Sequence, residues 1–176
     1  GDRVLVSLNV DAISGMMMVV RGLVADLHLT IIEPIGNPLA FSKPEQPFEF
    51  ISLVPYQLQT IITETPAKKL ILDMAKAILV GGAPISPELA EVVETVKAPV
   101  YHTYGMTETV SHIALQQVNG GLTSEYFNVL PGINIDTDNR GCLVINAPFL
   151  DGPITTNDVV EIKSGNEFKW IGRWDN

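Results

Sequence analysis

The sequence has little cysteine, little positive charge and no long apolar run, and each shortage excludes a class of protein. Cys142 is the only cysteine in 176 residues, so the chain has no internal disulfide and no cysteine-based metal cage. This cysteine usage is typical of a reducing compartment, and we therefore expect a cytoplasmic protein. The net charge of -9 and the lack of a Lys/Arg cluster argue against binding to nucleic acid or to an anionic membrane surface.

No stretch predicts a membrane span or a secretion signal. The most apolar N-terminal stretch, residues 13–29, is interrupted by Arg21, Asp26 and His28, which leaves no run long enough for a bilayer. The chain does not open on basic residues followed by a short apolar run, as a signal peptide would. Because it starts without Met and stops abruptly after Trp174, we expect a piece of a longer protein.

Hydrophobic residues make up 46% of the chain, which is enough for a substantial core. Over the first two thirds of the chain, short β-rich runs alternate with helical patterns. The clearest unit is an apolar strand at 77–80, a Gly-Gly-Ala-Pro turn at 81–84, a helix capped by Ser86 and a strand from Pro99. A strand, a crossover helix and a second strand predict parallel neighbours in a buried sheet.

After about Asn119 the pattern changes. Gly-, Pro- and Asn-rich turn signals follow one another at roughly ten-residue intervals, with short strands between them. That spacing is typical of an antiparallel sheet or a small barrel. The sequence therefore predicts an α/β fold, with a parallel-rich sheet flanked by helices in residues 1–119 and a small antiparallel, barrel-like β subdomain in residues 120–176.

Polar residues are concentrated where two of the predicted parallel strands end. Ligands bind outside the carboxyl ends of such strands, and both the Gly81 loop and the Gly105 loop leave carboxyl ends. Glycines let the backbone approach a flat or anionic ligand. Tyr104 offers an aromatic face, Thr107 a hydroxyl for a phosphate, and Glu108 a carboxylate suited to Mg²⁺. Together these groups indicate a nucleotide with a metal.

Each of these signals also has an ordinary structural interpretation. Gly-Gly-Ala-Pro is frequently just a tight turn from strand to helix. Thr107 and Glu108 fit a helix N-cap and a first-turn acid favoured by the helix dipole, and Tyr104 fits the core or its rim. The residues alone leave both interpretations open.

Four ordered motifs resemble those of the adenylate-forming superfamily, which includes acyl-CoA and aryl-CoA ligases, luciferases and peptide-synthetase adenylation domains. Residues 104–109 (YGMTET) resemble its Tyr-Gly-x-Thr-Glu motif, and residues 80–84 (VGGAP) resemble its adenine-side loop. Residues 156–158 (TND) resemble its Thr-Gly-Asp ribose-binding element, and residues 171–176 (IGRWDN) resemble its Gly-Arg-x-Asp hinge motif.

The resemblance implies a role for each matching position. Thr107 would bind phosphate and Glu108 would hold Mg²⁺, which makes these two the catalytic candidates, while Asp175 would be the hinge pivot. Tyr104 would stack on adenine and Asp158 would bind the ribose hydroxyls. The implied cofactor and co-substrates are Mg²⁺, ATP and CoA. The full set of implied nucleotide contacts is Gly81, Gly82, Ala83, Tyr104, Gly105, Met106, Thr107, Asp158 and Arg173.

The sequence departs from the family pattern in two places and lacks two of its parts. Asn157 stands where relatives usually have Gly, and Asn is the least costly substitute if that backbone needs a positive φ. Ala12 stands where relatives usually carry a His beside the acyl pocket. The family's phosphate loop and its C-terminal domain are both missing, so we expect the chain alone to be inactive. A second copy of the chain is a further candidate partner.

Within the superfamily, residues 12–23 and 52–58 are most similar to o-succinylbenzoate–CoA ligases of menaquinone synthesis. The resemblance implies that Arg21 contacts the substrate carboxylate, which a guanidinium pairs with through two hydrogen bonds, and that Ser14 and Gly15 line the same pocket. The structural alternative for Arg21 is a helix-surface or ion-pair arginine.

Two other functions stay open at this stage. One is a ligase for a different aryl or fatty acid, or an amino-acid adenylation module; Arg21 speaks against an apolar monocarboxylic acid, which needs no second cation. The other is a nucleotide-binding module that binds adenylate and catalyses nothing.

Overall fold

The structure is a computed structural model that describes residues 1–43 and 47–175. These residues form two compact units. Unit 1 comprises Gly1–Thr103 and Gln117–Thr123, and unit 2 comprises Tyr104–Gln116 and Ser124–Asn176. This division differs from the predicted boundary between residues 119 and 120, because the chain enters unit 2 at Tyr104 and returns to unit 1 for seven residues.

Unit 1 is a parallel sheet with helices on the connections. The strands are β1 (Arg3–Val6), β2 (His28–Ile31), β3 (Phe50–Leu53), β4 (Ala77–Val80) and β5 (Val100–Gly105), whose last residues belong to unit 2. They lie in the order β2-β1-β3-β4-β5, and every neighbouring pair is parallel. The helices are α1 (Ile13–Val24), α2 (Pro55–Glu64), α3 (Lys69–Asp73) and α4 (Pro87–Val93), with single 3₁₀ turns at Pro66–Lys68 and Gly120–Leu122.

The predicted strand–turn–helix–strand unit is confirmed. β4 pairs with β5 in parallel, and three of its four residues are buried, as expected for a strand covered on both faces. The Ser86 hydroxyl accepts a hydrogen bond from the Leu89 N–H at 3.2 Å, and Pro87 occupies the first helical position, where its missing N–H costs nothing. Leu89 and Val93 are buried in the core of unit 1.

The side chain of Asn119 explains why residues 117–123 belong to unit 1. Its Oδ1 accepts from the Val100 N–H at 2.8 Å, and its Nδ2 donates to the carbonyl oxygens of Val96 and Ala98 at 2.8 and 2.9 Å. Asn119 is only 3% exposed, so these three bonds are made out of water. The glycines that follow it predict a subdomain boundary, but the buried amide bonds this segment to the residues that follow α4 and to β5.

Unit 2 is an antiparallel sheet. Its strands are β6 (His112–Gln117), β7 (Phe127–Val129), β8 (Asn134–Thr137), β9 (Cys142–Asn146), β10 (Ile154–Ser164) and β11 (Glu167–Arg173), and one 3₁₀ turn, Thr107–Thr109, follows β5. The strands lie in the order β6-β7-β11-β10-β9-β8. The core includes a stacked pair of rings, Phe127 and Phe168, with centroids 5.4 Å apart.

The α/β class predicted from the sequence is therefore confirmed, with parallel strands and helices in unit 1 and antiparallel strands in unit 2. Within residues 1–43 and 47–175, none of the helices is both long enough and apolar enough to cross a membrane.

Candidate functional site

The turn after β5 is held from inside by Thr109. This residue is only 2% exposed; its hydroxyl accepts from the Met106 N–H at 3.0 Å and donates to the Ser111 carbonyl oxygen at 2.8 Å. Thr107 and Glu108, the two residues before it in the turn, are exposed. The buried hydroxyl thus fixes the backbone, and the two predicted catalytic residues present their side chains to solvent.

The backbone on either side of this turn is tightly constrained. Val110 has φ 63° and ψ -41°, a conformation that a β-branched residue rarely adopts. A Cβ added at Gly105 would lie 2.4 Å from the Cα of His112, so only glycine allows this close approach. Strain of this kind persists only where the surroundings enforce it, and such positions are concentrated at functional sites.

Asp158 lies in an irregular part of β10. Thr155 pairs with Val144 and Val159 pairs with Cys142, so four residues along β10 match only two along β9. Such a bulge re-aims side chains. The bulge coincides with residues 156–158, predicted as a ribose-binding element, where Thr156 and Asp158 carry polar side chains at buried positions of the strand.

The Asp158 carboxylate is 9% exposed and has three partners. Oδ2 accepts from the Tyr104 hydroxyl at 2.6 Å, and Oδ1 accepts from Nε1 of Trp170 at 3.2 Å. Nη1 of Arg173 lies 3.7 Å from Oδ1, within ion-pair distance. Arg173 is also the residue opposite Asp158 in the β10–β11 pairing, so the register of the two strands brings this pair together.

Tyr104 is held by its ring as well as by its hydroxyl. The ring packs edge-on against Phe127 and Phe168, with centroid separations of 5.8 and 5.1 Å. Burial raises the pKa of the Tyr104 hydroxyl strongly, and the hydrogen bond to Asp158 raises it further. The Tyr104 hydroxyl therefore keeps its proton at physiological pH and acts as the hydrogen-bond donor to Asp158.

The end of β11 is tied together by charge. Arg173 donates from Nε and Nη2 to the two carboxylate oxygens of Asp175, at 3.0 and 3.1 Å. This paired hydrogen bond lowers the pKa of Asp175 and raises that of Arg173. Nδ2 of Asn157 adds a third donor to Asp175 at 3.3 Å.

The backbone at Asn157 does not need a positive φ. Among the described non-glycine residues only Asp26 and Val110 have positive φ, so the positive φ considered for an Asn at position 157 does not occur.

In unit 1, the glycines of the predicted adenine-side loop have reasons of their own within the fold. Gly82 has φ +85°, which favours glycine, and a Cβ at Gly81 would lie 2.1 Å from Oγ1 of Thr103. Ala83 is exposed, and its carbonyl oxygen lies 3.2 Å from Nε2 of His102. The turn favours glycine at both positions whether or not a ligand is present, and their part in nucleotide binding stays a prediction.

The predicted acid-binding residues share helix α1 but not one surface. Ser14 is exposed in its first turn, whereas Gly15 is buried, where a Cβ would lie 2.2 Å from the Asn9 carbonyl oxygen. Arg21 is half-buried in the last turn; its Nη1 donates to Sδ of Met18 at 3.5 Å, and burial lowers its pKa. Ser14 and Arg21, seven residues apart, lie on the same side of the helix.

In unit 2, the structure therefore assembles Tyr104, Asp158, Arg173 and Asp175 into one connected polar set, and it places Thr107 and Glu108 in the turn that follows Tyr104. Sequence reasoning missed Trp170, Asn157 and Arg140 as members or supports of this set. Arg140 stood out only as part of an Asn-Arg-Gly turn signal, and nothing local in the sequence links it to residue 157. No group of three or more His, Cys, Asp or Glu side chains in residues 1–43 and 47–175 could hold a metal by itself.

Comparison with known proteins gives consistent matches. The model of the family "AMP-binding enzyme" matches residues 1–135. A 2-succinylbenzoate–CoA ligase from Staphylococcus epidermidis is 30% identical over 100 residues, which are 56% of this chain and 20% of that protein. The chain thus matches only a small part of that relative's length.

Solved structures resemble the whole chain, among them the two that follow. An acyl-CoA synthetase (AMP-forming)/AMP-acid ligase II-like protein from Dyadobacter fermentans is 46% identical with a TM-score of 0.90, covering 100% of this chain and 50% of that one. An o-succinylbenzoate coenzyme A synthetase from Bacillus subtilis, solved with ATP and a magnesium ion, is 20% identical with a TM-score of 0.78, covering 99% and 42%. The second likeness is one of fold alone.

Proposed function

The chain belongs to the AMP-binding enzyme family, and from that premise we propose that it carries part of the nucleotide-binding site of an acid–thiol ligase that forms AMP. The observation that carries the proposal is the bond between Tyr104 and Asp158. It unites the two polar segments of unit 2, at 104–109 and 156–158, around one carboxylate. A nucleotide site needs polar groups from both segments close together, whereas an ordinary strand end does not need a polar partner from a distant segment.

The nucleotide contacts proposed in unit 2 follow from the chemistry of each group. Asp158 is acceptor-only when ionised, and each of its oxygens keeps a second lone pair for a ribose hydroxyl. Arg173, half-exposed beside it, supplies positive charge for phosphate or ribose oxygens. Tyr104 is the proposed aromatic neighbour of the adenine. The contribution of the Gly81–Ala83 loop and the cytoplasmic location are predictions that the same premise supports.

The donor set of the turn fits Mg²⁺ in the form that nucleotide enzymes use. Mg²⁺ binds through one or two carboxylates together with substrate phosphates, rather than in an all-protein cage. Glu108 is the exposed carboxylate that would hold it, and the exposed Thr107 hydroxyl beside it would donate to a phosphate oxygen. When bound, the ion would neutralise charge that develops on the phosphates.

The proposed reaction has two steps. A substrate carboxylate oxygen attacks the α-phosphorus of ATP, the bond to the bridging oxygen breaks, and pyrophosphate leaves with its electrons. The sulfur of CoA, after loss of its proton, then attacks the acyl carbon, and AMP leaves. The chain's own residues position and stabilise charge in these steps: Thr107 holds a phosphate oxygen, and Asp158 and Arg173 hold the nucleoside.

For the acid, we propose o-succinylbenzoate. Arg21 supports a substrate that carries a second carboxylate, because its guanidinium is half-buried on α1 and offers paired donors. The Staphylococcus relative carries the corresponding name. A ligase for another aryl or fatty acid is the second candidate, because the Dyadobacter protein that the chain resembles is named as an acyl-CoA synthetase without a particular acid.

ATP–pyrophosphate exchange tests the proposal. The full-length protein that carries this chain is assayed with Mg²⁺ and a panel of acids: o-succinylbenzoate, benzoate, a medium-chain fatty acid and an amino-acid mixture. Exchange with o-succinylbenzoate alone supports the proposal in full. Exchange only with the fatty acid or with benzoate supports the second candidate, and exchange with no acid, together with measurable AMP binding, supports a non-catalytic nucleotide-binding module.

A further inference from the structure

The turn between β8 and β9 locks one arginine side chain in place. Oδ1 of Asp138 accepts from the N–H groups of Arg140 and Cys142 at 2.8 and 2.9 Å, and Oδ2 accepts from Nε of Arg140 at 2.8 Å. Burial alone would raise the pKa of Asp138, but these hydrogen bonds lower it overall. The Asp138 carboxylate therefore stays ionised and fixes the direction in which the Arg140 guanidinium points.

Both terminal nitrogens of that guanidinium reach the bulge of β10, and Nη2 also lies 2.8 Å from Oδ2 of Asp138. Nη1 of Arg140 donates to Oδ1 of Asn157 at 3.1 Å, and Nη2 donates to the carbonyl oxygen of Thr156 at 3.2 Å. The bulge removes these residues from regular pairing with β9, so Arg140 replaces a partner that the sheet does not provide.

Arg140 also decides which way the Asn157 amide faces. Because an arginine can only donate, the oxygen of the amide must face Arg140, which leaves Nδ2 as a donor on the opposite side. That donor lies 3.3 Å from Oδ2 of Asp175. The carbonyl oxygen of Asn157 also accepts from the Trp174 N–H at 2.8 Å, so two adjacent residues beyond β11 are bound to one residue of the bulge.

We propose that Arg140 and Asn157 are positioning residues that clamp residues 174–175, which follow β11, and thereby hold Arg173 beside Asp158. Asn157 holds Asp175, and Asp175 engages Nε and Nη2 of Arg173. With those two nitrogens engaged, Nη1 is the part of the guanidinium that lies toward Asp158, at 3.7 Å. The effect on nucleotide affinity rests on the function proposed above, whereas the clamp itself rests on the contacts alone.

Two substitutions at Asn157 distinguish the clamp from a simple loss of packing. Asn157→Asp keeps the size of the side chain and the acceptor for Arg140, but it sets a carboxylate against Asp175 in place of a donor. Asn157→Ala removes both bonds without adding repulsion. If the clamp acts through Asp175, Asn157→Asp is the more damaging change; if residue 157 only fills space, Asn157→Asp resembles the unsubstituted protein.

The test uses hydrogen exchange and AMP binding in the full-length protein. We expect the Trp174 amide to exchange about fivefold faster in Asn157→Ala, the factor that one net hydrogen bond supplies, and faster still in Asn157→Asp. AMP affinity, measured by calorimetry, should fall by a similar factor of about five while the KM for the acid stays unchanged. Lys169→Ala is the control: it breaks the exposed Lys169–Glu125 pair on the same strand and should change neither quantity.

Three results would overturn the proposal. The first is an unchanged Trp174 exchange rate in both Asn157 variants. The second is faster exchange with unchanged AMP affinity, because the clamp would then not position Arg173. The third is Asn157→Asp behaving like the unsubstituted protein. If the unsubstituted protein binds no AMP, the proposed function fails. In that case, faster Trp174 exchange in Asn157→Asp than in Asn157→Ala still supports the clamp.

Discussion

The Tyr104 hydroxyl donates to Oδ2 of Asp158 at 2.6 Å and so joins two polar segments that lie 54 residues apart in the chain. The short distance is typical of a hydrogen bond to an ionised acceptor, which is stronger than one between neutral groups. Trp170 and Arg173 complete the surroundings of the carboxylate. A buried charge with this many partners costs stability when one partner is removed.

Tyr104→Phe should lower the stability of the protein. The change keeps the ring contacts with Phe127 and Phe168 but leaves Oδ2 of Asp158 without its donor, so we expect a loss of about 1–3 kcal/mol in the free energy of unfolding. Urea denaturation measures it. Tyr126→Phe is the matched control, because the Tyr126 hydroxyl bonds Glu161 at 2.9 Å on the exposed surface and its loss should change little. Equal losses in the two variants would contradict the account.

Alkaline pH should remove the advantage of Tyr104. The folded state holds the Tyr104 proton above the ordinary tyrosine pKa, while the unfolded chain releases it. The stabilisation is therefore complete below pH about 10 and is lost at about 1.4 kcal/mol per pH unit as the pH rises further. Unfolding free energies of the unsubstituted protein and of Tyr104→Phe, measured from pH about 9 to about 11, should converge. Parallel curves would mean that the Tyr104 pKa is not raised.

Thr109→Val should disturb the turn that carries Thr107 and Glu108. Valine has the same shape but cannot bond the Met106 N–H or the Ser111 carbonyl, and the site is buried, so we expect a loss of about 1–3 kcal/mol. Thr109→Ser keeps the hydroxyl and should retain most of the stability. Thermal and urea unfolding compare the two variants. A serine variant as unstable as the valine variant would show that the methyl group, not the hydroxyl, matters.

Arg21→Ala should weaken binding of the acid and leave ATP binding unchanged. If the guanidinium pairs with the second carboxylate of the acid, its loss raises the KM for o-succinylbenzoate about 10- to 100-fold. Arg21→Lys keeps the charge without the paired donors and should fall between the two. Steady-state kinetics of the full-length protein supply both KM values. An unchanged KM for the acid would remove Arg21 from the pocket and favour a structural role for it beside Met18.

Most of the fold is predictable from local signals in the sequence. The strand Ala77–Val80, the cap at Ser86 and the parallel pairing with β5 were all predictable, because apolar runs, caps and crossovers depend on neighbours in sequence. The sequence predicts a boundary near Gly120, but it does not predict that the Asn119 amide makes three bonds to residues about twenty positions away, which join residues 117–123 to unit 1. Composition and turn signals do not predict hydrogen bonds between residues so far apart in sequence.

For the candidate site too, the sequence predicts the residues but not the contacts between them. The motifs named Tyr104, Glu108, Asp158 and Arg173 as candidates, but not the hydrogen bond from Tyr104 to Asp158, which depends on strand register. Asn157 appeared to be a substitute for glycine, whereas it lies in a β-bulge and bonds across it to Arg140. Contacts of this kind arise from pairing irregularities, which a single sequence does not reveal.

The Mg²⁺ dependence of ATP–pyrophosphate exchange in Glu108→Gln is the sharpest test of the proposed nucleotide site. If Glu108 supplies the carboxylate for Mg²⁺, the variant needs a much higher Mg²⁺ concentration for half-maximal exchange, or loses exchange altogether, while it folds like the unsubstituted protein because Glu108 is exposed. Glu125→Gln, an exposed glutamate of unit 2 outside the polar set, should leave the Mg²⁺ requirement unchanged. Exchange in Glu108→Gln with an unaltered Mg²⁺ requirement would contradict the proposed nucleotide site.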